Sequence, residues 1–391
     1  MSRRGRAARG RALAAAGALA VAVTLAACGS ASSAAPPASS ATAASTAGVS
    51  MATSVATSAE SWAVLPMAAN PAFWEVFVRS ANSASWKLVT PPGIADNGGL
   101  VVSPNGASSL AVAVRPSQDL LFSPLAATSN GGATWSPGPP LDAAVAASPD
   151  AFAADGASLV ALLTDGAVAS SSDAGATWSV IAKPGAIAAS AAARGCGGVV
   201  RVTSVSFGTT SAQLLAGGTC GTSGTTAMFT YTTGTGWQRS ALPAAGQLLR
   251  LTAGRALVRG KAGLTALFGG FGWYAYTPLT AATAAPADAW TASAALPVSG
   301  AVVASGTLAL GGAWVLLTGG RAATIGGPGQ QWTLLPPVPA KTTVLAAGPD
   351  GATDALAVSG TTLTVWRLAP KATVWQKAEA ISVPIQFGSS S

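Results

Sequence analysis

Short apolar runs broken by turn residues recur from about residue 61 to the end of the chain. Examples are SLVALLTD (158–165), AVASSSD (167–173), SWAVLPM (61–67) and FWEVFVRS (73–80). Runs of this length, bounded by glycine, proline or serine, read as strands. VVRVTSVSF (199–207) and AQLLAGG (212–218) are two such strands folding back around Gly208-Thr209-Thr210. The last run, ISVPIQF (381–387), is one strand long and has no neighbour after it.

Two stretches share a frame of a hydroxyl, any residue, Asp or Asn, any residue, glycine, two residues and tryptophan. They are TSNGGATW (128–135) and SSDAGATW (171–178), 43 residues apart. Repetition at that period marks a repeat architecture. Weaker copies keep glycine and tryptophan at Gly234/Trp237, Gly270/Trp273 and Gly329/Trp332, and Trp86 and Trp375 end degenerate copies at either end. A second punctuation, Ser103-Pro104-Asn105, Ser148-Pro149-Asp150 and Gly348-Pro349-Asp350, precedes Trp135, Trp178 and Trp375. Such a turn has a physical basis. The short carboxylate or amide of Asp173 or Asn130 accepts backbone N–H bonds, Gly132 and Gly175 take a left-handed conformation, and Trp135 and Trp178 pack on the sheet.

This pattern resembles the Asp-box, or BNR, repeat of sialidases and of secreted propellers that share the turn. The resemblance implies an all-β fold: a β-propeller of four-stranded antiparallel blades. Seven box-ending tryptophans at roughly 46-residue spacing imply about seven blades, with six or eight also compatible; Trp290 is left over, in the inner strand or an insertion of the sixth blade. The first unit is one strand short, so the C-terminal strand is expected to close the ring by joining the first blade.

The N-terminus changes where this fold is expected to sit. Arg3, Arg4, Arg6, Arg9 and Arg11 precede an uncharged apolar run from Ala12 to Ala27 that ends in Leu-Ala-Ala-Cys. This resembles a bacterial lipoprotein signal, with residues 1–27 removed and Cys28 lipidated; an ordinary secretory signal is the alternative, and export by the twin-arginine route is open. Residues 28–60 are rich in Ala, Ser, Thr and Pro with no basic or aromatic residue, which predicts a flexible tether, a candidate for O-linked sugar. Residues 61–391 form the propeller domain in this reading, monomeric and attached through its lipid to the extracytoplasmic face of a bacterial cell membrane.

Removing the signal also removes five of the 21 basic residues, leaving sixteen against thirteen acids, a net of +3. A nucleic-acid partner inferred from the high isoelectric point is thereby excluded. Of the three cysteines, Cys196 and Cys220 remain. A fold-back centred near residue 208 would place them opposite each other as a cross-strand disulfide suited to an oxidising compartment, with buried free thiols the alternative.

The chain has no histidine, so the commonest general base and metal ligand are missing. Sialidases combine an arginine triad with a tyrosine-glutamate pair and an aspartate. Here the only glutamates are Glu60, Glu75 and Glu379, the tyrosines are Tyr231, Tyr274 and Tyr276, and no such pairing is recognisable. The blade style also resembles bacterial propellers related to photosystem II assembly factors, which act in docking. The expectation is a non-enzymatic binding or scaffolding module without cofactor or metal, whose partner is an envelope protein or cell-wall polymer; a sialidase-like glycan-active protein is the alternative. Arg250, Arg255, Arg259 and Lys261, with no acid among them, are the candidate anion-binding cluster, solvated strand ends being the plainer reading.

Overall fold

The computed structural model describes residues 52–384 apart from 68–72, 94–97, 116–120, 147, 149, 209–210, 223, 241, 243–245, 253–254, 261–262, 270–289, 297–299, 309–311, 328–329 and 349. Its strands form seven four-stranded antiparallel sheets, each a meander in sequence order. The sheets span 53–88, 100–141, 152–182, 200–240, 247–292, 302–334 and 342–382, numbered here as blades one to seven. The chain is a seven-bladed β-propeller.

Burial falls from the inner to the outer strand of each blade. All four residues of Thr53–Ala56 are buried, whereas Lys87–Leu88 at the rim is exposed. The apolar clusters lie between neighbouring blades: Val64, Val76 and Val112 pack blade one on blade two, and Leu215, Met228 and Leu251 pack blade four on blade five. Every inner strand runs the same way, which gives the ring two unlike faces. One carries the turns from first to second and from third to fourth strands, including the boxes, and is called here the box face. The other carries the second-to-third turns and the connections between blades, and is called the connection face.

The tether is shorter than its composition suggests. Thr53–Ala56, inside the segment read as linker, is the inner strand of blade one, paired with Glu60–Pro66 in the register Thr53↔Val64 to Ala56↔Ser61. Its small residues reflect crowding, not flexibility. The strand is bonded sideways to Val302–Thr307 of blade six through Thr53 Oγ1 to Ser305 O (2.9 Å) and Ala56 N to Thr307 Oγ1 (3.3 Å). A side chain at Gly306 would collide with the Ser54 carbonyl. Residues 1–51, including Cys28, lie outside the described residues.

Because blade one already holds four strands, the C-terminal run is not needed there. Gln376–Ser382 instead pairs with Thr362–Leu368 as the outer strand of blade seven, and 385–391 lie outside the described residues. Side chains take over the closure. Arg79 of blade one, 1% exposed, lies 3.2 Å from Asp350 Oδ2 and, through Nε, 3.0 Å from Asp354 Oδ2, both on blade seven. Arg367 Nε donates to Asp354 Oδ1 at 2.8 Å, and its Nη2 reaches back to Ala84 O at 3.0 Å. The Trp86 indole donates to Asp354 Oδ2 at 2.8 Å, and the Trp86 amide donates to Glu379 Oε1 at 2.7 Å. Burial is the largest influence on Asp350 and pushes its carboxyl up; the hydrogen bond and charge of Arg79 outweigh it and hold the group below its ordinary value. Among the described residues, the joint is an ionic clasp where a shared strand was expected.

Trp290 also finds a place. It opens Trp290–Ala292, the outer strand of blade five, so it stands where Trp273 was expected; Trp273 lies outside the described residues.

Candidate functional site

The inner strands of blades four to seven each carry a register shift near the connection face, at Val202/Ser204, Leu248/Arg250, Val302/Ala304 and Thr342/Val344. A bulge re-aims the side chains beyond it. Arg250 consequently occupies the position that Ser204, Ala304 and Val344 hold in the other blades, and all four are buried. Its Nη2 lies 3.0 Å from Asp150 Oδ1, and its Nη1 donates to Ser305 O at 2.8 Å and to Thr53 Oγ1 at 2.5 Å. Asp150 in turn accepts Leu251 N on Oδ2 at 2.7 Å and Val205 N on its carbonyl at 2.8 Å. One ion pair thus ties together the inner strands of blades one, four, five and six and the entry to blade three.

This arrangement corrects the reading of two sequence features. Ser148-Pro149-Asp150 is not equivalent to the other two punctuation triplets: Asn105 and Asp350 sit in first-to-second strand turns, whereas Asp150 precedes its blade's inner strand, Phe152–Asp155. The basic cluster is dispersed as well. Arg250 is buried and neutralised; Arg255 and Arg259 stand at opposite ends of one strand, Arg255–Gly260, pairing with Thr252 and Gln247 respectively. The Arg255 side chain and Lys261 lie outside what is described. Arg259 lines a shallow groove of about 210 Å³ with Gln247, Leu249, Ala301 and Val302, and its Nη2 donates to Gly300 O at 2.8 Å.

The box turns are built from their own polar atoms. Ser171 Oγ donates to Asp173 Oδ1 (2.8 Å), which also accepts Thr177 N (2.9 Å), while Thr177 Oγ1 donates to Oδ2 (2.6 Å). Thr128, Asn130 and Thr134 repeat the pattern, with Thr134 N on Asn130 Oδ1 at 3.0 Å. Gly132 and Gly175 adopt φ of 76° and 89°, the left-handed region. The tryptophans do more than pack on their own sheet. Trp135, Trp332 and Trp375 donate their indole N–H to Val89, Ala294 and Pro336, each just past the outer strand of the preceding blade. Trp86 follows the same rule at the ring joint, with the Asp354 carboxylate in place of a carbonyl. The Trp178 indole N–H is buried and has no hydrogen-bond partner among the described residues.

The Thr177 hydroxyl first, then the Thr177 amide and the Ser171 hydroxyl, hold the Asp173 carboxyl down at about 2. A depressed carboxyl contributes stability above its ordinary value of 3.8, and loses it as pH falls to about 2. Acid titration of the melting temperature is therefore expected to fall more steeply through that window for the parent than for Asp173→Asn, which adopts the chemistry already present at Asn130. Parallel titrations would show that the box carboxylate is not coupled to folding.

Two carboxyls are pushed up, both mainly by burial: Glu60 and Glu75. They sit at opposite ends of blade one, since Glu60 pairs with Ser80 and Glu75 with Leu65. Five residues of strand put them roughly 17 Å apart along the chain direction, beyond the about 5–10 Å over which paired carboxylates cleave a glycosidic bond. Asp350 and Asp354, which do share a neighbourhood, are both taken by Arg79. Tyr231 packs in a tilted contact against Trp237, ring centroids 5.2 Å apart; Tyr274 and Tyr276 lie outside the described residues.

Cys196 and Cys220 are paired, with sulfurs 2.07 Å apart. The bond is not cross-strand. Cys196 ends a 3-10 turn, Ala191–Cys196, that follows the short helix Ala186–Ala189 on the connection face, and the residue opposite Cys220 is Val200. With the two cysteines 24 positions apart in sequence, loss of the bond is expected to cost about 3 kcal/mol. A lower melting temperature under reducing conditions, matched by Cys196→Ser/Cys220→Ser, checks this; an unchanged melt would show the pairing to be dispensable.

No protein-family model matches the chain, and a search of curated protein sequences finds no relative. Among solved structures, it is similar to a GH74 xyloglucanase of Xanthomonas campestris at 14% identity, covering 85% of this chain and 55% of that one, with a TM-score of 0.51. The chain therefore spans about half the length of that enzyme. A 6-phosphogluconolactonase-like protein of Bacteroides fragilis matches at 11% identity over 83% of this chain and 96% of that one, TM-score 0.51. YCF48 bound to a D1 peptide matches at 14% identity over 83% and 94%, TM-score 0.46. At such identities the likeness establishes the propeller fold, and the neighbours' own roles are mixed.

Proposed function

We propose that this is a non-enzymatic binding or scaffolding propeller, held by a lipid on Cys28 at the extracytoplasmic face of a bacterial membrane, whose partner is an envelope protein or polymer. The observation that carries the reading is the use made of the ring's interior. Among the described residues, the Asp150–Arg250 pair and the buried strand Thr53–Ala56 lock the inner strands to one another at the centre of the ring. What varies from blade to blade is the connection face, with its helix, its stapled 3-10 turn and its groove, which is the pattern of a rigid scaffold presenting loops to a partner.

The test is made in membranes of the native host. Intact-mass analysis is expected to find the mature chain beginning at an acylated Cys28, and crosslinking is expected to recover one envelope component that is lost with Cys28→Ala. Recovery of the bare chain in the soluble fraction, or glycan turnover by the purified protein, would overturn the proposal.

A further inference from the structure

Charge is segregated around the ring. From Lys183 to Lys341, which covers blades four to six and the connections flanking them, the sequence has ten basic residues and one acid, Asp288. The rest of the mature chain has six bases against twelve acids. A net of +3 therefore conceals a sector of +9 facing one of −6. Asp150, the acid that neutralises Arg250, reaches in from outside the sector.

Within that sector most cations point to one face. Arg194 lies in the 3-10 turn, Arg201 at the start of Val200–Phe207, Arg239 near the end of Gly236–Ser240, Arg259 near the end of Arg255–Gly260, Arg321 at the start of Arg321–Ile325, and Lys341 just before Thr342–Ala347. All six positions are on the connection face; five of the side chains are exposed and Arg259 is half-buried. Arg239 is close enough to the stapled turn that a Cβ on Gly195 would lie 2.9 Å from its Nη1. The disulfide thus fixes part of the arc.

Two further features share this face. Apolar side chains stand exposed on it: Leu121 (83%) and Phe122 (37%) in the second-to-third turn of blade two, Val199 beside the stapled turn, and Val303 at a bulge. The chain also enters the propeller here, because Ala52 and Thr53 are at the end of the inner strand opposite its turn. Cations, apolar tips and the entry of the chain segment that follows Cys28, all on one surface, are the ingredients of interfacial binding to an anionic bilayer. A soluble polyanion would need the first alone.

We propose that the connection face of blades four to six docks on an anionic lipid surface and lays the ring flat against the membrane. This deepens the lipid-anchor reading and rests on it for its setting, so it is tested without the acyl chain. Ala47–Ser391 forms a compact unit apart from Met1–Thr46, and residues 29–391 keep all of that unit while lacking Cys28. Sedimentation with phosphatidylglycerol/phosphatidylcholine vesicles is expected to pellet this protein at low salt, to release it at high salt, and to leave it in solution with phosphatidylcholine alone. Combining Arg194→Ala, Arg201→Ala and Arg239→Ala is expected to lower partitioning roughly a hundredfold, about fivefold per cation, with the melting temperature unchanged. Lys371→Ala/Lys377→Ala, outside the sector, is expected to bind like the parent. Val199→Ser/Val303→Ser, the exposed apolar tips within the sector, is expected to weaken binding with little change in its salt dependence. Equal binding by parent and triple variant would overturn the proposal. So would capture by soluble polyglycerol phosphate with no binding to vesicles, which would assign the arc to a wall polymer. Failure in either form leaves the acylation of Cys28 to be judged by the intact mass of host-made protein.

Discussion

Replacing Arg250 with alanine is expected to destabilise the propeller by about 3–5 kcal/mol, the cost of leaving one member of a buried ion pair without its partner. Asp150 would be left 2% exposed, with Leu251 N as a remaining donor and its ion-pair partner removed. The same guanidinium holds Thr53 and Ser305, so the inner strand of blade one loses an anchor as well. Removing both charges separates these contributions. Arg250→Met/Asp150→Asn keeps an acceptor for Leu251 N and leaves no unpaired ion, and is expected to recover most of the loss, because hydrophobic replacement of a buried pair is often close to neutral. Urea unfolding of the four proteins of this cycle measures both quantities. A single-variant cost below about 1 kcal/mol would mean that the pair is wetter than its burial indicates. A double variant as unstable as the single would mean that Arg250 acts by packing and by its bonds to Thr53 and Ser305, with charge balance secondary.

The fate of Arg250 also shows what could be read from the sequence and what could not. Glycine, tryptophan and the Asp or Asn of the box are local: the turn they make is complete within eight residues, so TSNGGATW and SSDAGATW reveal the blade period directly. The number of blades followed from that period. The bulge ahead of Arg250 leaves no such mark, since Leu248, Leu249 and Leu251 surround it with apolar residues whichever way the strand is turned. A one-residue slip moves a side chain to the other face, and an arginine then exchanges a solvated end for the interior. Thr53–Ala56 was hidden for the opposite reason. Close backbone approach to Gly306 requires small residues, and a strand of small residues has the composition of a linker. The cysteine pairing is legible in the sequence but its cross-strand geometry is not: the chain makes a 3-10 turn before the strand begins, so the hairpin register is displaced by about four residues from the one that would put Cys196 opposite Cys220. Long-range partners such as Arg79 and Asp354 carry no signal at all in a single sequence.

Those two residues carry the second large effect. Asp354→Ala is expected to cost about 3–5 kcal/mol or more, because one fully buried carboxylate serves Arg79, Arg367 and the Trp86 indole at once. Removal leaves Arg79 at 1% exposure facing, among the described acids, the more exposed Asp350. The site of the damage distinguishes this variant from Arg250→Ala. The clasp is where the first and last blades meet, so its loss should open the ring between blades one and seven before the other interfaces yield, with earlier amide exchange along Trp74–Ser80 and Thr362–Leu368 than along blade four. Acid should act in the same place. Asp350 is held below its ordinary value, so its contribution is complete above that value and is lost as pH falls through the depressed one. Hydrogen exchange at mildly acidic pH, and again at lower pH, is expected to show protection lost first on both sides of this joint in the parent, and already lost there in Asp354→Ala. Uniform loss around the ring would show that the propeller unfolds as one cooperative unit with no weaker seam. Retention of the joint in the variant would show that the tryptophan staples and apolar packing close the ring without the clasp.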